Sequence, residues 1–416
     1  MQLTSNNHIL INPDNMRTRI LVAFILSLFI APSFAQKKNT ATQKTEEGYK
    51  FTPVVELKAT SVKNQASSGT CWCFATTSFI ESELLRMGKG EYDLSEMFIV
   101  RDNYTDKLKD NFLRQGKGNL GQGSVGHDWM DEFKTNGIVP EEIYNGLNYG
   151  SANHSHSELN AFINAVAAVP VQRKNESVQY HKIVDEILDI YLGKIPENFM
   201  YNGVSYTPKS FASSLGINPG DYVEITSFTH FPFYTQGLLE IPDNWRMERY
   251  YNITLDEMIH TMDYALQNGY TIAWDGDVSE KGFSHLKGVA IFPELVNVDN
   301  YSTTDRARLE KMSPAERSEQ AYKFESPFPE VNVTQEIRQA GFESFTTTDD
   351  HLMHLTGMVK DQNGTKYYIT KNSWGTDRNP FGGYLNMSEA YVRAKTIAIM
   401  VHKNAIPATI KTKLGL

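Results

Sequence analysis

Both cysteines of the chain stand in one stretch, NQASSGTCWCFATTSF at residues 64–79. A thiol reacts as its thiolate, and a free cysteine with a pKa of about 8.5 is mostly protonated at neutral pH. The unpaired N–H groups and the dipole of a helix start favour the anion. From Cys71 the apolar residues Ala75, Phe79, Ile80, Leu84 and Met87 recur at three- and four-residue steps until Gly88 and Gly90 stop them. Cys71 therefore opens a predicted helix. Upstream, Gln65 carries a neutral amide suited to an oxyanion formed when sulfur attacks a carbonyl. Gly69, lacking a side chain, leaves room for a substrate backbone to approach. Such a nucleophile needs a base and a group that orients the base. Near the other end of the chain Asp350-His351 opens a predicted strand, and KNSWG brings Asn372 and Trp374 after a hairpin turn. Two antiparallel strands would bring His351 and Asn372 together.

Other uses of these residues are weaker. A bridge between Cys71 and Cys73 would be strained and would close almost no loop. Two cysteines without a second pair or a nearby His-x3-His do not make a zinc site. Two residues along a helix from Cys71, Cys73 faces another side and reads as structural. His351 and His354 would share a face on a helix, but on a strand they point to opposite faces, so they are no metal pair. No metal and no cofactor is implied.

The elements that must position these groups follow from the rest of the pattern. At 416 residues, with 40% hydrophobic, 12% aromatic and 21% charged residues, the chain can bury a large core. A formal charge of −9 argues against nucleic acid or an anionic membrane surface as partner. Helical patterns follow at Ser95-Glu96, at 126–136, in SELNAFINAVAAV and HKIVDEILDIYLG, and from the Thr254–Glu257 capping box with its core face of Leu255, Met258, Ile259, Met262 and Leu266. DYVEITSF, YTIAWDGDV and KGVAIFPE read as strands, as do HLMHLTGMV, KYYIT, GGYLNM and TIAIMVH. Residues 300–335 read as a charged, irregular surface excursion. Helices dominate the first half and antiparallel strands the end.

At the start of the chain, MRTRILVAFILSLFIAPSFA from Met16 has two arginines, an apolar run too short to span a bilayer comfortably and a small-x-small ending at Ala35. Residues 1–35 are therefore expected to be a signal peptide and 36–51 a flexible leader. That predicts an exported protein, periplasmic or secreted, of a Gram-negative-type cell, with no membrane contact after cleavage.

Gln65 through Cys71-Trp72 and Phe74-Ala75, Asp350-His351 and Asn372-Ser373-Trp374-Gly375 resemble the active-site blocks of papain-like cysteine peptidases, in the family's order. DNYTDKLKDN, NGIVPEEIY, LDEMIHTMDYALQNGYTIAWDGDV and GYLNMSEAYV are similar to the bleomycin hydrolase and aminopeptidase C branch, and the likeness spans about residues 52–407. The resemblance implies a papain-like α+β fold, a helical half and an antiparallel sheet or barrel half with the cleft between them, and long insertions at about 150–250 and 296–340. It implies Cys71 as nucleophile, His351 as base and then acid, Asn372 as orienter, and Gln65 with the Cys71 N–H as oxyanion hole. Trp374 would cover the His–Asn contact, and Gly123, in the loop GQGSVG, would line an extended peptide substrate. In that branch the chain's own C-terminus lies in the cleft, so the tail 408–416 would bring Leu416 near the amine of an aminopeptidase substrate. The branch also admits a homo-oligomer. The departures are Cys73 itself, TTTDDH before the histidine and the short tail. An endopeptidase with an open cleft, a catalytically idle peptide-binding protein and acyl transfer to an amine stay open as alternatives.

Overall fold

The computed structural model of the chain describes residues 48–416. The expected signal peptide and most of the expected leader lie outside the described residues. The last leader residues, Tyr49 and Phe51, stack on each other and meet the edge of Tyr367.

The helical half is built round α1 (Cys71–Arg86), on which every residue from Trp72 to Leu84 is buried. A helix covered on all sides needs no amphipathic stripe, and α1 carries serine, threonine and glutamate inside as well as apolar groups. Against it pack α2 (Glu96–Leu113) and α3 (Gly126–Asn136), with the pair α4 (Ser157–Arg173) and α5 (Val178–Leu192) laid on α2 and a shorter α6 (Pro208–Leu215) on α3. Starts expected from sequence are visible in the caps: the Ser95 hydroxyl accepts from Phe98 N, and Thr254 and Glu257 form a capping box at the start of α7 (Leu255–Gln267).

The sheet half has eleven strands, in the order Gln236–Leu238, Arg249–Asn252, Tyr222–Thr226, Thr396–His402, Ile272–Gly276, His351–Lys360, Lys366–Lys371, Tyr384–Ser388, Val289–Ala290, Phe283–Ser284, with Thr52–Glu56 added beside His351–Lys360. Most pairings are antiparallel, as expected. Two are parallel, Tyr222–Thr226 with Arg249–Asn252 and Tyr384–Ser388 with Val289–Ala290. Alternation along the central strands divides the core. Ala273, Leu352 and Met400 face the cluster around α1, while Ile272, Trp274, Met353, Leu355, Ile399 and Val401 face the cluster around α7.

Two expectations about the sheet half need correction. The excursion at 300–335 contains helices at Thr303–Leu309 and Pro314–Ala321 and has its own core of Tyr301, Leu309, Ala321, Phe324 and Phe328 against Val359 and Tyr367. Its buried residues are too widely spaced among charges to leave a readable period. The tail beyond Pro407 is not extended. It forms a helix, Ala408–Leu414, which buries Ile410 and Leu414 in the α7 cluster and pairs Lys413 with Glu257 at 2.5 Å.

A buried polar network joins the halves. Lys63 Nζ donates to Glu96 Oε1 and Oε2 at 2.8 and 2.9 Å and meets Asp93 at 2.7 Å and Glu81 at 3.7 Å. Glu81 accepts from Thr60 Oγ1 and Leu94 N. Lys371 Nζ donates to Thr60 Oγ1 at 3.1 Å and to Ser78 Oγ at 2.7 Å, and Ser78 bonds His354 Nδ1 at 2.9 Å. His354 is thus a fully buried bridge between strand and helix. Removing the cation of such a network strands several carboxylates. Lys63→Met is expected to cost about 3 kcal/mol of unfolding free energy, the scale of a broken buried ion pair, read by denaturant titration.

Candidate active site

Cys71 is the first residue of α1, so its N–H has no intrahelical carbonyl to meet. Its environment pushes the thiol up to about 12, through burial first and then the carboxylates of Asp349 and Asp243, with the backbone amides of Leu352 and Trp72 acting the other way. Cys73 faces away, fully buried, and its thiol donates to the Glu96 carbonyl at 3.2 Å.

His351 begins its strand and Asn372 follows directly on the next one. The register of those strands sets His354 opposite Lys371, so their ends meet. His351 Nε2 lies 2.9 Å from Asn372 Oδ1. Since Oδ1 only accepts, and also accepts from Ser373 N at 2.7 Å, the imidazole donates through Nε2 and leaves Nδ1 as its free base. The Trp374 indole lies 4.9 Å from the imidazole, ring centre to ring centre. Burial lowers His351 to about 4, against the Asn372 hydrogen bond and with the help of His285. Burial thus favours the uncharged form of each group.

Gln65 is fixed on both sides of its amide. Its Nε2 donates to Ser68 O at 2.8 Å, its Oε1 accepts from Ser373 Oγ at 2.6 Å, and its backbone N–H bonds Ser373 O at 2.8 Å. One amide hydrogen is left over for a ligand. Ser373, in the motif but given no role by it, ties Gln65 to Asn372, donating its hydroxyl to one and its N–H to the other. His285 was not singled out at all. It lies 3.4 Å from Asn372 Nδ2 and 5.0 Å from the Trp374 ring, brought there by a turn between two-residue strands that carries no local signal.

The two glycines serve the protein's own packing. A Cβ on Gly69 would stand 2.9 Å from that of Gln122, whose Oε1 accepts the Gly69 N–H at 2.7 Å. A Cβ on Gly123 would overlap the carboxylate of Asp243. The expected wall for an extended substrate is therefore covered at Gly123 by the loop carrying Asp243. That loop is clamped to the helical half: Asn119 Nδ2 donates to Pro242 O at 2.7 Å, Trp245 Nε1 to Ser124 Oγ at 3.0 Å, and Arg246 pairs with Asp128 and Asp106 at 2.8 and 2.9 Å. Leu416 is likewise not where expected. Its N–H turns back to Lys411 O, on a helix anchored against α7, and among the described residues no hydrogen bond or ion pair joins it to Cys71, His351 or Asn372. Burial of Ile410 and Leu414 outweighs an extended tail.

The chain matches two family models, one described as papain family cysteine protease over residues 53–209 and one as Peptidase C1-like family over residues 316–415. Among solved structures it resembles PepW from Lactobacillus rhamnosis HN001 (DR20), with 20% identity, a TM-score of 0.62, and 88% of this chain and 84% of that one covered. It also aligns with the bromelain protease from Ananas comosus, at 13% identity, TM-score 0.35 and 82% and 92% coverage. Digestive procathepsin L 3 of Tenebrio molitor larval midgut aligns at 14% identity, TM-score 0.35 and 86% and 71% coverage. The PepW likeness is one of fold, and the other two scores are too low to bear on it. No curated protein matches the chain.

The acids beside the thiol leave a titration signature. Burial, then Asp243, raises Asp349 to about 7, with the hydrogen bond to Asp275 opposing. A carboxyl whose folded pKa lies above its unfolded value of about 3.9 keeps a proton that unfolding releases, so its contribution to stability is lost as pH rises from about 4 to about 7. Asp349→Asn removes that loss. Its melting temperature minus that of the wild type is expected to grow by a few degrees from pH 4 to pH 7 and then level. A difference that stays constant with pH would contradict the assignment.

Proposed function

We propose that this chain, which belongs to the papain-family cysteine peptidases, cuts peptides through Cys71, His351 and Asn372 and removes residues from the amino terminus. The peptidase mechanism rests on the 2.9 Å bond between His351 Nε2 and Asn372 Oδ1, which leaves Nδ1 to take the Cys71 proton. The thiolate attacks the carbonyl carbon, and the oxyanion is received by the Cys71 N–H and the spare Gln65 amide hydrogen. As the C–N bond breaks, the imidazolium returns its proton to the leaving amine. Water, deprotonated by His351, then attacks the acyl-sulfur ester, the second tetrahedral intermediate collapses, and the proton passes back to the thiolate with release of the acid. Trp374 screens the His351–Asn372 bond from water, where it is stronger.

The amino-terminal specificity is supported by the loop clamped over Gly123. A chain that continued upstream of the scissile bond along this wall would meet Asp243. The similarity of several sequence stretches to the aminopeptidase C branch favours the same reading. The tail is not used, since Ala408–Leu414 is folded against α7. The idle-binding alternative is disfavoured by the intact thiol, imidazole and amide.

Cys71→Ala is expected to abolish hydrolysis and Cys73→Ala to retain most of it, with His351→Ala matching the first and Asn372→Ala losing less, since it orients without making bonds. Equal losses at positions 71 and 73 would assign the wrong thiol. For the cut position, a fluorogenic aminoacyl amide with a free amine is expected to have a higher kcat/KM than its N-acetylated form. Equal or faster cleavage of the acetylated form identifies an endopeptidase.

A further inference from the structure

One group of carboxyls next to the thiol is partnered mainly by itself. Asp275 is 5% exposed, yet beyond the Asp349 carboxyl neither of its oxygens meets an N–H or a hydroxyl, and Oδ2 of Asp349 and the hydroxyl of Tyr250 are buried with no other partner. Buried polar atoms in proteins are mostly satisfied, and of those left without a bond among the described residues four gather here. They do lie in one place. Asp275 is opposite Leu352 in the sheet, on the other side from Ala398, and Leu352 N is the amide near the Cys71 sulfur. The Asp275 and Asp349 carboxyls are within hydrogen-bonding reach of each other, and both feel Asp243. Asp349 and Asp243 both act on Cys71, one from the segment entering His351, the other from the loop over Gly123.

The charges around this group are one-sided. Glu224 stands behind Asp275 and Tyr250, but its carboxylate is committed to His127, with Nδ1 at 2.6 Å. The cation nearest Asp243 is Lys107, which spends its hydrogens on the carbonyls of Gly121 and Gly123 and forms no ion pair with the aspartate. Asp243 itself accepts from Asn119 at 3.3 Å and keeps its second oxygen over Gly123. Isolated carboxylates are costly to bury, so a cluster whose one nearby cation, Lys107, is held by carbonyls stands ready for a cation brought by the ligand.

We propose that Asp349, Asp275 and Asp243 together receive an ammonium group of the substrate, and that this ammonium is the free α-amine of the residue whose carbonyl Cys71 attacks. The inference rests on the peptidase reading above and names what recognises the amino terminus. In an amino-terminal residue the α-nitrogen stands two bonds from the carbonyl carbon, about 2.5 Å away, so its receptor has to adjoin the thiol, as these carboxyls do. A lysine side chain one residue upstream would bring the same ammonium chemistry, but its own backbone would have to pass the loop that covers Gly123. On binding, the proton shared by Asp275 and Asp349 leaves to solvent and the ammonium takes its place.

The test uses alanyl, N-acetyl-alanyl, acetyl-Lys-Ala and acetyl-Leu-Ala fluorogenic amides with the wild-type chain, Asp349→Asn and Asp243→Asn. Its readout is the ratio of kcat/KM for the free over the acetylated alanyl substrate, which is insensitive to a general loss of active enzyme. In each variant the ratio is expected to fall roughly 30-fold or more, the loss typical when one partner of a buried charge pair is neutralised, and Asp243→Glu to restore part of it. If Asp349→Asn does not fold, Asp243→Asn decides alone. A wild type that prefers the acetylated substrate sinks the aminopeptidase reading before any carboxyl is changed. A wild-type preference for the free amine that survives in the variants overturns the receptor and leaves the aminopeptidase standing. A wild-type preference for acetyl-Lys-Ala over acetyl-Leu-Ala that the variants lose gives the cation to a side chain and overturns the α-amine.

Discussion

The active site depends on keeping charged and polar side chains dry where α1 crosses the sheet. Ser78 and Glu81 lie two and three turns along the helix that begins at Cys71. His354 is three residues along the strand from His351, and Lys371 immediately precedes Asn372. Each member of the network is thus a short, stiff lever on one reacting or orienting group. Thr60 and Lys63 do the same for the segment that ends at Gln65. An apolar contact would hold these elements together as firmly, but it would tolerate sliding. Hydrogen bonds with lengths of 2.7 to 3.1 Å between fixed donors and acceptors permit one register only.

Burial sets the chemistry as well as the geometry. The same desolvation that raises the Cys71 thiol lowers His351, so burial favours the uncharged form of both. Forming the ion pair creates two charges at once, close together, in a place where their mutual attraction is strong. Asn372 removes the other freedom of the imidazole, its ring orientation, and Trp374 lies across the bond that does so. The acids nearby work against a thiolate until something positive comes between.

How much of this was legible in the sequence depended on distance along the chain. Gln65, Cys71, His351 and Asn372 were readable because each sits in a short motif whose residue types make sense only together, and α1, α2, α3 and α7 because their caps and periods are local. Asp243 was not, since its position over Gly123 is a pairing between two loops with no periodicity in either. Ser373 and His285 act only through neighbours that folding brings from 308 and 87 residues away. Asp275 looked like a polar residue in a strand; its isolation shows only once the strands on both sides and the loop over the cleft are in place. The tail was misread for the opposite reason. Its apolar residues at positions 410 and 414 make a one-turn helical pair, a local signal that the family resemblance overrode.

One consequence follows from where the last strand lies. Thr396–His402 is not at the edge of the sheet; it runs between Tyr222–Thr226 and Ile272–Gly276, in the middle. Residues up to His402 must therefore be made before the two sides of the sheet can join, although the strand bearing His351 already has its neighbours Thr52–Glu56, Ile272–Gly276 and Lys366–Lys371 by then. What waits for the last strand is the joining of Tyr222–Thr226, and the two strands beyond it, to the rest of the sheet.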